Sequence, residues 1–270
     1  MLARGVGILG SSGVWAARGL AILLLMVPIG LVIFLSFAAD AYSAIPPRGY
    51  SLRWYLNIFA QPEFVPAFLT SLRIAAVVTA VSLVLGTLAA YALYRHEIPG
   101  GGFIEVVLYA PIMVPLVVTG AALLILFSRM GWHRSFWNIV LGHVIITGPY
   151  VVRTVSVALA RYERALDDAA AGLGARPWEV FWRVTLPLIR PGLFAGALFA
   201  FVMSFDDFTV TIFLIGAGTR TLPVAIYQYM EWNLDPTVSA VSAVLILMAA
   251  GVTLLIERLV GLDRFIGIRG

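Results

Sequence analysis

Six apolar runs decide what this chain can fold into. They lie near Leu20–Ala39, Ala67–Tyr94, Phe103–Phe127, Phe136–Leu159, Leu193–Ile215 and Thr237–Leu259. Each is long enough to cross a hydrocarbon core as a helix, which takes roughly 20 residues. Inside lipid every backbone N–H and C=O must be bonded within the segment, so such runs predict helices and exclude open sheets. The charged fraction agrees, at 12% against about 25% in soluble domains. The expected fold is an all-α membrane protein with six transmembrane helices. The second run is overlong and is expected to begin outside the core. The first is too long for a signal-peptide core and lacks a convincing cleavage site, so it is expected to remain as a span. The expected organisation is an N-terminal segment with the first helix and an outer loop (residues 1–66), a membrane core (67–259) and a short cytoplasmic tail (260–270). No chemistry attaches to the glycine-rich residues 1–19.

All eighteen basic residues are arginines, and cysteine is absent. Without lysine there is no P-loop motif for ATP and no Schiff-base chemistry. Without cysteine there is no disulfide or thiolate metal site. The net charge of +4 comes from arginines spread over loops, which is no nucleic-acid footprint. That spread sets the orientation instead, because cytoplasmic loops collect arginine. With the N-terminus inside, eleven arginines fall in inner loops and five in outer loops, while Arg73 and Arg153 lie within spans. Both termini and the long loop Arg161–Gly192 are therefore expected in the cytoplasm.

Several smaller features carry weaker expectations. Trp54-Tyr55 in the first outer loop is expected to anchor at the membrane interface. Pro111 and Pro115 each remove a backbone hydrogen bond and predict kinks in the third run, serving a transport path or packing. His143 reads as an interhelical hydrogen-bonding group, since nothing supplies a second metal ligand at workable spacing. Arg153 lies near the inner end of its run, where it can snorkel towards headgroups.

The fifth run contains Ser204-Phe205-Asp206-Asp207. One Asp at a helix centre costs roughly 2.5–3.5 kcal/mol to insert, so a cavity, a pore or a partner cation must offset it. On a continuous helix Asp207 shares a stripe with Gly196, Ala200, Ser204 and Thr211, whereas Asp206 lies among Phe199, Met203, Val210 and Phe213. Asp207 is thus expected to face a pathway or a close helix contact. Asp206 is expected to need a hydrogen-bonding or arginine partner, unless the helix unwinds there. Asp207 lies fourteen residues past Leu193, which at about 1.5 Å per residue is about 21 Å into the membrane, beyond its midplane. Ser204, Asp206, Asp207 and Thr211 form the candidate substrate-pathway set.

The longest polar interruption, Arg161–Gly192, reads as helix, glycine turn, helix and proline break. Good helix formers run from Arg161 to Leu173. Gly174 suits a left-handed C-terminal position, and Pro177 suits the first turn of a second helix. Pro187 and Pro191 are expected to end that second helix. Within this loop stand Asp168-Ala169-Ala170, three residues, Gly174, nine residues and Val184-Thr185-Leu186-Pro187. That order resembles the EAA loop of ABC-importer permeases, with Asp for Glu at 168 and Val for Ile at 184. SFDDFTVTIFLIG, followed by Thr221-Leu222-Pro223, Ile226-Tyr227 and Asp235-Pro236, resembles the second permease of spermidine/putrescine-type importers. This second resemblance runs from about Phe68 to the end.

The resemblance implies a type I ABC importer transmembrane domain that performs no chemistry itself. Its coupling residues would be Asp168, Ala169, Ala170, Gly174, Leu186 and Pro187, docking into a separate ATPase subunit that binds ATP and Mg. No cofactor is expected in this chain. The implied partners are a second permease subunit, two ATPase subunits and a periplasmic substrate-binding protein, in the bacterial inner membrane. The implied cargo is a small cationic or zwitterionic amine, polyamine first, with 4-aminobutyrate, opines or aminophosphonates as alternatives. A proton- or sodium-coupled secondary transporter would also explain intramembrane aspartates, but not the Ala-Ala…Gly…Leu-Pro loop.

Overall fold

The computed structural model describes residues 3–41, 45–96, 98–161, 163–216 and 218–260. The tail expected at 260–270 lies outside the described residues beyond Val260. The first helices are α1 (Ala3–Leu35), α2 (Arg53–Ala60), α3 (Phe64–Arg95), α4 (Gly101–Met113), α5 (Leu116–Arg129) and α6 (Phe136–Ala160). The polar hairpin follows as α7 (Arg164–Gly172), α8 (Pro177–Val180), a π-turn (Phe181–Thr185) and α9 (Leu186–Leu188). The chain then runs through α10 (Arg190–Asp206), α11 (Thr211–Leu214), α12 (Leu222–Trp232) and α13 (Thr237–Val260).

The chain forms two compact units, Glu63–Tyr227 and Met1–Pro62 with Gln228–Gly270. Within the second of these, α1 and α2 pack on α13. Asn57 donates to the Thr237 hydroxyl (2.9 Å) and the Tyr229 hydroxyl (3.3 Å), and Tyr229 donates to Asp235 (2.8 Å). Trp54 is not an exposed interfacial anchor. Its indole is buried and donates to the Ala38 carbonyl at 2.7 Å, because an indole N–H taken out of water needs an acceptor.

In the unit Glu63–Tyr227, α3, α6 and α10 form the packed centre. The buried face of α10 is Gly192, Gly196, Ala200 and Ser204, one small residue every fourth position. A Cβ at Gly192 would lie 2.7 Å from the Thr154 carbonyl oxygen, and one at Gly196 would lie 2.7 Å from the Thr154 hydroxyl. Lipid offers no hydrophobic drive for helices to associate, so close backbone approach through small residues supplies the contact. The stripe read from the wheel is therefore a helix–helix contact.

Among the described residues, three helices are long and apolar enough to cross a membrane unbroken: Gly13–Leu35, Phe64–Arg95 and Phe136–Ala160. Two further segments are bent pairs, Gly101–Met113 with Leu116–Arg129 at 105° and Pro177–Leu188 with Arg190–Asp206 at 73°. The third expected span is thus broken outright at Val114-Pro115. Proline disfavours the helical region for the residue before it, and Val114 is extended at φ −85°, ψ 130°. Pro111 stays inside α4.

Pro187 also departs from expectation, since it lies within helical backbone instead of ending it. The Leu186 N–H bonds to the Phe181 carbonyl five residues back. This π-turn widens the helix just ahead of Pro187, which lacks an N–H and would crowd the carbonyl of an ordinary turn. The bend comes two residues later, at Ile189 (φ −88°, ψ 5°).

Candidate functional site

Two pairs of adjacent aspartates stand on the chain, one in the polar hairpin and one in the fifth span. The first is positioned by α7. That helix ends in paired hydrogen bonds, Gly174 N–H to the Ala171 carbonyl (2.9 Å) and Ala175 N–H to the Ala170 carbonyl (3.1 Å). This closure requires a left-handed residue after the helix, and Gly174 has φ +90°. The chain reverses into α8, where Pro177 occupies the first turn and Glu179 accepts from the Arg176 N–H at 2.9 Å.

Consecutive helical residues point about 100° apart, so α7 separates its two carboxylates. Asp167 is fully buried and accepts from the Thr185 hydroxyl at 3.0 Å, which ties α7 to the π-turn. Asp168 is exposed and receives both terminal N–H groups of Arg95, each at 3.2 Å. The same guanidinium lies 4.0 Å from Asp167. Arg164 adds a second tie to α3, donating to the Tyr94 carbonyl and lying over the Tyr94 ring at 4.6 Å. Of the residues matched to the EAA pattern, Asp168, Ala169 and Gly174 are exposed. Ala170, Leu186 and Pro187 are half-buried, and Leu186 packs on the cluster of Ile189, Leu159 and Val155. Beside them Leu173 is 91% exposed, with Trp178 and Trp182 also open. Sequence reasoning missed Arg95 and Asp167. Asp167 shares a helix face with Ala170, but its hydroxyl partner is eighteen residues away and gives no local signal.

The second pair sits where α10 stops. The expectation of one helix through Leu193–Ile215 is corrected here: Asp206 is the last helical residue and Asp207 is extended, at φ −68°, ψ 119°. The Asp207 carboxylate turns back to accept from the backbone N–H groups of Val210 (3.0 Å) and Thr211 (2.8 Å) and from the Thr211 hydroxyl (3.1 Å). It caps the turn that opens α11, as Asp does at helix starts.

His143, fully buried on α6, completes the arrangement. Its Nδ1 is 2.8 Å from the Ser204 hydroxyl, and its Nε2 is 2.9 Å from the Thr211 hydroxyl and 3.3 Å from Asp207. A ring proton assigned to Nε2 satisfies every partner: Thr211 accepts it and passes its own proton to Asp207, while Ser204 donates to Nδ1. Thr147 donates to the His143 carbonyl at 2.8 Å and meets Ser82 at 2.9 Å, extending the network from α6 to α3.

The wheel leaves Asp207 either a pathway or a close helix contact, and the structure shows the contact, with Asp207 3.3 Å from His143 on α6. The wheel gives Asp206 a partner unless the helix unwinds there, and the helix does unwind. Asp207, Ser204 and Thr211 are buried together around His143. Asp206 is exposed at the end of α10. Once the helix unwinds, the 100° spacing no longer applies, and the residue past the break is free to turn inward.

The chain matches the family model described as binding-protein-dependent transport system inner membrane component over residues 82–262. It is 34% identical over 235 residues to the putrescine transport system permease protein PotI of Escherichia coli K12, covering 84% of this chain and 83% of that protein. It is 30% identical over 231 residues to the spermidine/putrescine transport system permease protein PotC of Haemophilus influenzae, covering 86% of this chain and 90% of that protein. Its fold is similar to a bacterial ABC transporter involved in the import of the acidic polysaccharide alginate, with a TM-score of 0.70 at 16% identity over 96% of each chain. The chain belongs to the family of binding-protein-dependent inner membrane transport components, as a permease of the ABC-importer type.

Proposed function

We propose that this permease forms part of the membrane path for a polyamine, driven by ATP hydrolysis in separate subunits that dock on the hairpin around Gly174. The observation that carries the cargo side of this reading is Asp206. It is an exposed carboxylate at the C-terminal end of a helix, inside the fifth apolar run. The last carbonyls of a helix carry partial negative charge. Carboxylate and carbonyls together attract a cation and repel an anion, as charged side chains do along selective pathways. The similarity to putrescine and spermidine/putrescine permeases supports the same choice. Asp207, held by Val210, Thr211 and His143, keeps the break open so that Asp206 stays presented.

The driving side rests on the hairpin. This chain has no lysine for a phosphate loop, so the energy comes from a partner. The exposed ridge of Asp168, Ala169, Leu173 and Gly174 gives an ATPase a surface to grip. The hairpin and both termini lie on the cytoplasmic side. A second permease, two ATPase subunits and a periplasmic binding protein complete the assembly. The unburied apolar α4, with Phe103, Val106 and Met113 exposed, offers a surface to that second permease or to lipid.

The test is ATP-driven uptake of labelled putrescine and spermidine by the complete complex in proteoliposomes. Asp206→Asn is expected to assemble normally and cut uptake at least tenfold. Gly174→Asp is expected to insert normally, keep ATP hydrolysis and lose transport, because a side chain at positive φ strains the turn. Wild-type uptake by Asp206→Asn removes the cargo role, and wild-type coupling in Gly174→Asp removes the docking role.

A further inference from the structure

We propose that Arg95 is the positioning residue through which movement of the α7–α8 hairpin reaches α3. This rests on the reading of the hairpin as the ATPase-docking element. Along the chain the hairpin joins only α6 and α10. It reaches α3 through side chains: Arg95 holds Asp168 with two N–H groups and borders buried Asp167, and Arg164 holds the Tyr94 carbonyl. The planar guanidinium suits this position, since its fixed fork can face two neighbouring carboxylates at once.

The far end of α3 is tied as well. Glu63 pairs with Arg220, and the Ser71 hydroxyl accepts the Leu222 N–H at 2.9 Å. Arg220 and Leu222 belong to the segment that follows the break at Asp207 and the short helix α11. The 32 residues of α3 span about 48 Å at about 1.5 Å per residue, packed along α6 and α10. A displacement at the Arg95 end is therefore delivered to the segment beyond the break at the opposite end. Without the Arg95 link the carboxylates of α7 lose their cation on α3. The hairpin is then left joined to that helix by Arg164 on Tyr94 and by the Tyr91–Phe181 ring contact, neither of which grips Asp168.

An exposed ion pair adds little to stability, so its loss should appear in coupling and leave assembly unchanged. The experiment is a double-mutant cycle in the complete reconstituted complex, reading labelled putrescine moved per ATP hydrolysed. Arg95→Gln and Asp168→Asn are each expected to lower that ratio about tenfold. The double variant should fall no further, and Arg95→Lys should recover at least half. Multiplying losses of about a hundredfold in the double variant would show that the two residues act separately and overturn the proposal. So would wild-type coupling in Arg95→Gln. Should Arg95→Gln fail to assemble, Asp168→Asn carries the test, its side chain being 67% exposed; wild-type coupling there overturns the link equally. Gly174→Asp runs in parallel. If it uncouples while Arg95→Gln does not, only the link is lost; if neither uncouples, the docking reading falls with it.

Discussion

The two aspartate pairs, Asp167-Asp168 and Asp206-Asp207, have the same composition and the same division of labour, reached by different backbones. In each, one carboxylate is buried and spent on local structure, while the other is presented outward. In the hairpin the helix continues, and its turn alone sends Asp167 inward and Asp168 out. In the fifth span the helix stops, and the first residue past it folds back to cap the next turn. A periodic argument works for the first pair and fails for the second. The difference lies in which group satisfies the backbone. In α7 the main chain bonds to itself, whereas at Asp207 a side chain takes over two N–H groups that would otherwise need helical carbonyls.

This comparison orders the effects of substitution on stability. The largest belongs to Asp207→Ala. It leaves the Val210 and Thr211 N–H groups and the Thr211 hydroxyl without their acceptor, beside His143. Each buried polar group left unpaired costs about 1–3 kcal/mol. The expected result is loss of most assembled complex, measured as the yield of this subunit with its partners after detergent extraction. A normal yield would mean that the capped turn is held by something else, and the contrast between Asp206 and Asp207 would collapse.

Asp167→Ala comes next. It removes one buried acceptor from the Thr185 hydroxyl and leaves α7 joined to α3 by Arg95 and Arg164. The expected cost is about 1–3 kcal/mol, from a single orphaned hydroxyl and its cavity. Thermal melting of the complex should show a clear downward shift, smaller than any seen for Asp207→Ala. Restoring the match with Thr185→Val in the Asp167→Ala background should return part of the loss, since the buried hydroxyl that lost its acceptor is then removed. No recovery would mean that Arg95, not Thr185, is the main partner of Asp167.

Much of this architecture was legible because the bilayer simplifies the problem. Apolar runs located the helices, and Gly174 and Pro177 located the hairpin turn to the residue. The breaks were harder to read. Pro115 announced a disturbance, but a 105° bend depends on what α4 and α5 pack against. Pro187 looked like a terminator because the π-turn that accommodates it has no composition signal. Asp207 did carry one: an Asp three and four residues before Val210-Thr211 has the spacing of a helix cap. The apolar run masked it, since a span was expected to be continuous. His143 was rightly read as an interhelical hydrogen-bonding group, but its partners 61 and 68 residues away are tertiary facts.

The smallest effect on stability, and the sharpest check on the comparison, is that of Asp168→Asn. Its ion pair with Arg95 is open to solvent on both sides, at 31% and 67% side-chain exposure. Water screens the attraction, and ordering two flexible side chains offsets part of it, so such pairs contribute about 0.2–1 kcal/mol. The melting temperature of the complex should therefore drop only slightly. The drop should also disappear in about 1 M salt, where the screening length falls to about 3 Å. Asp167→Ala should keep its deficit under the same conditions, because a buried hydroxyl gains nothing from dissolved ions. If Asp168→Asn instead destabilises as much as Asp167→Ala, and equally at both salt concentrations, then Asp168 is structural as well. The hairpin pair would then have no outward member, and its resemblance to Asp206-Asp207 would be one of sequence alone.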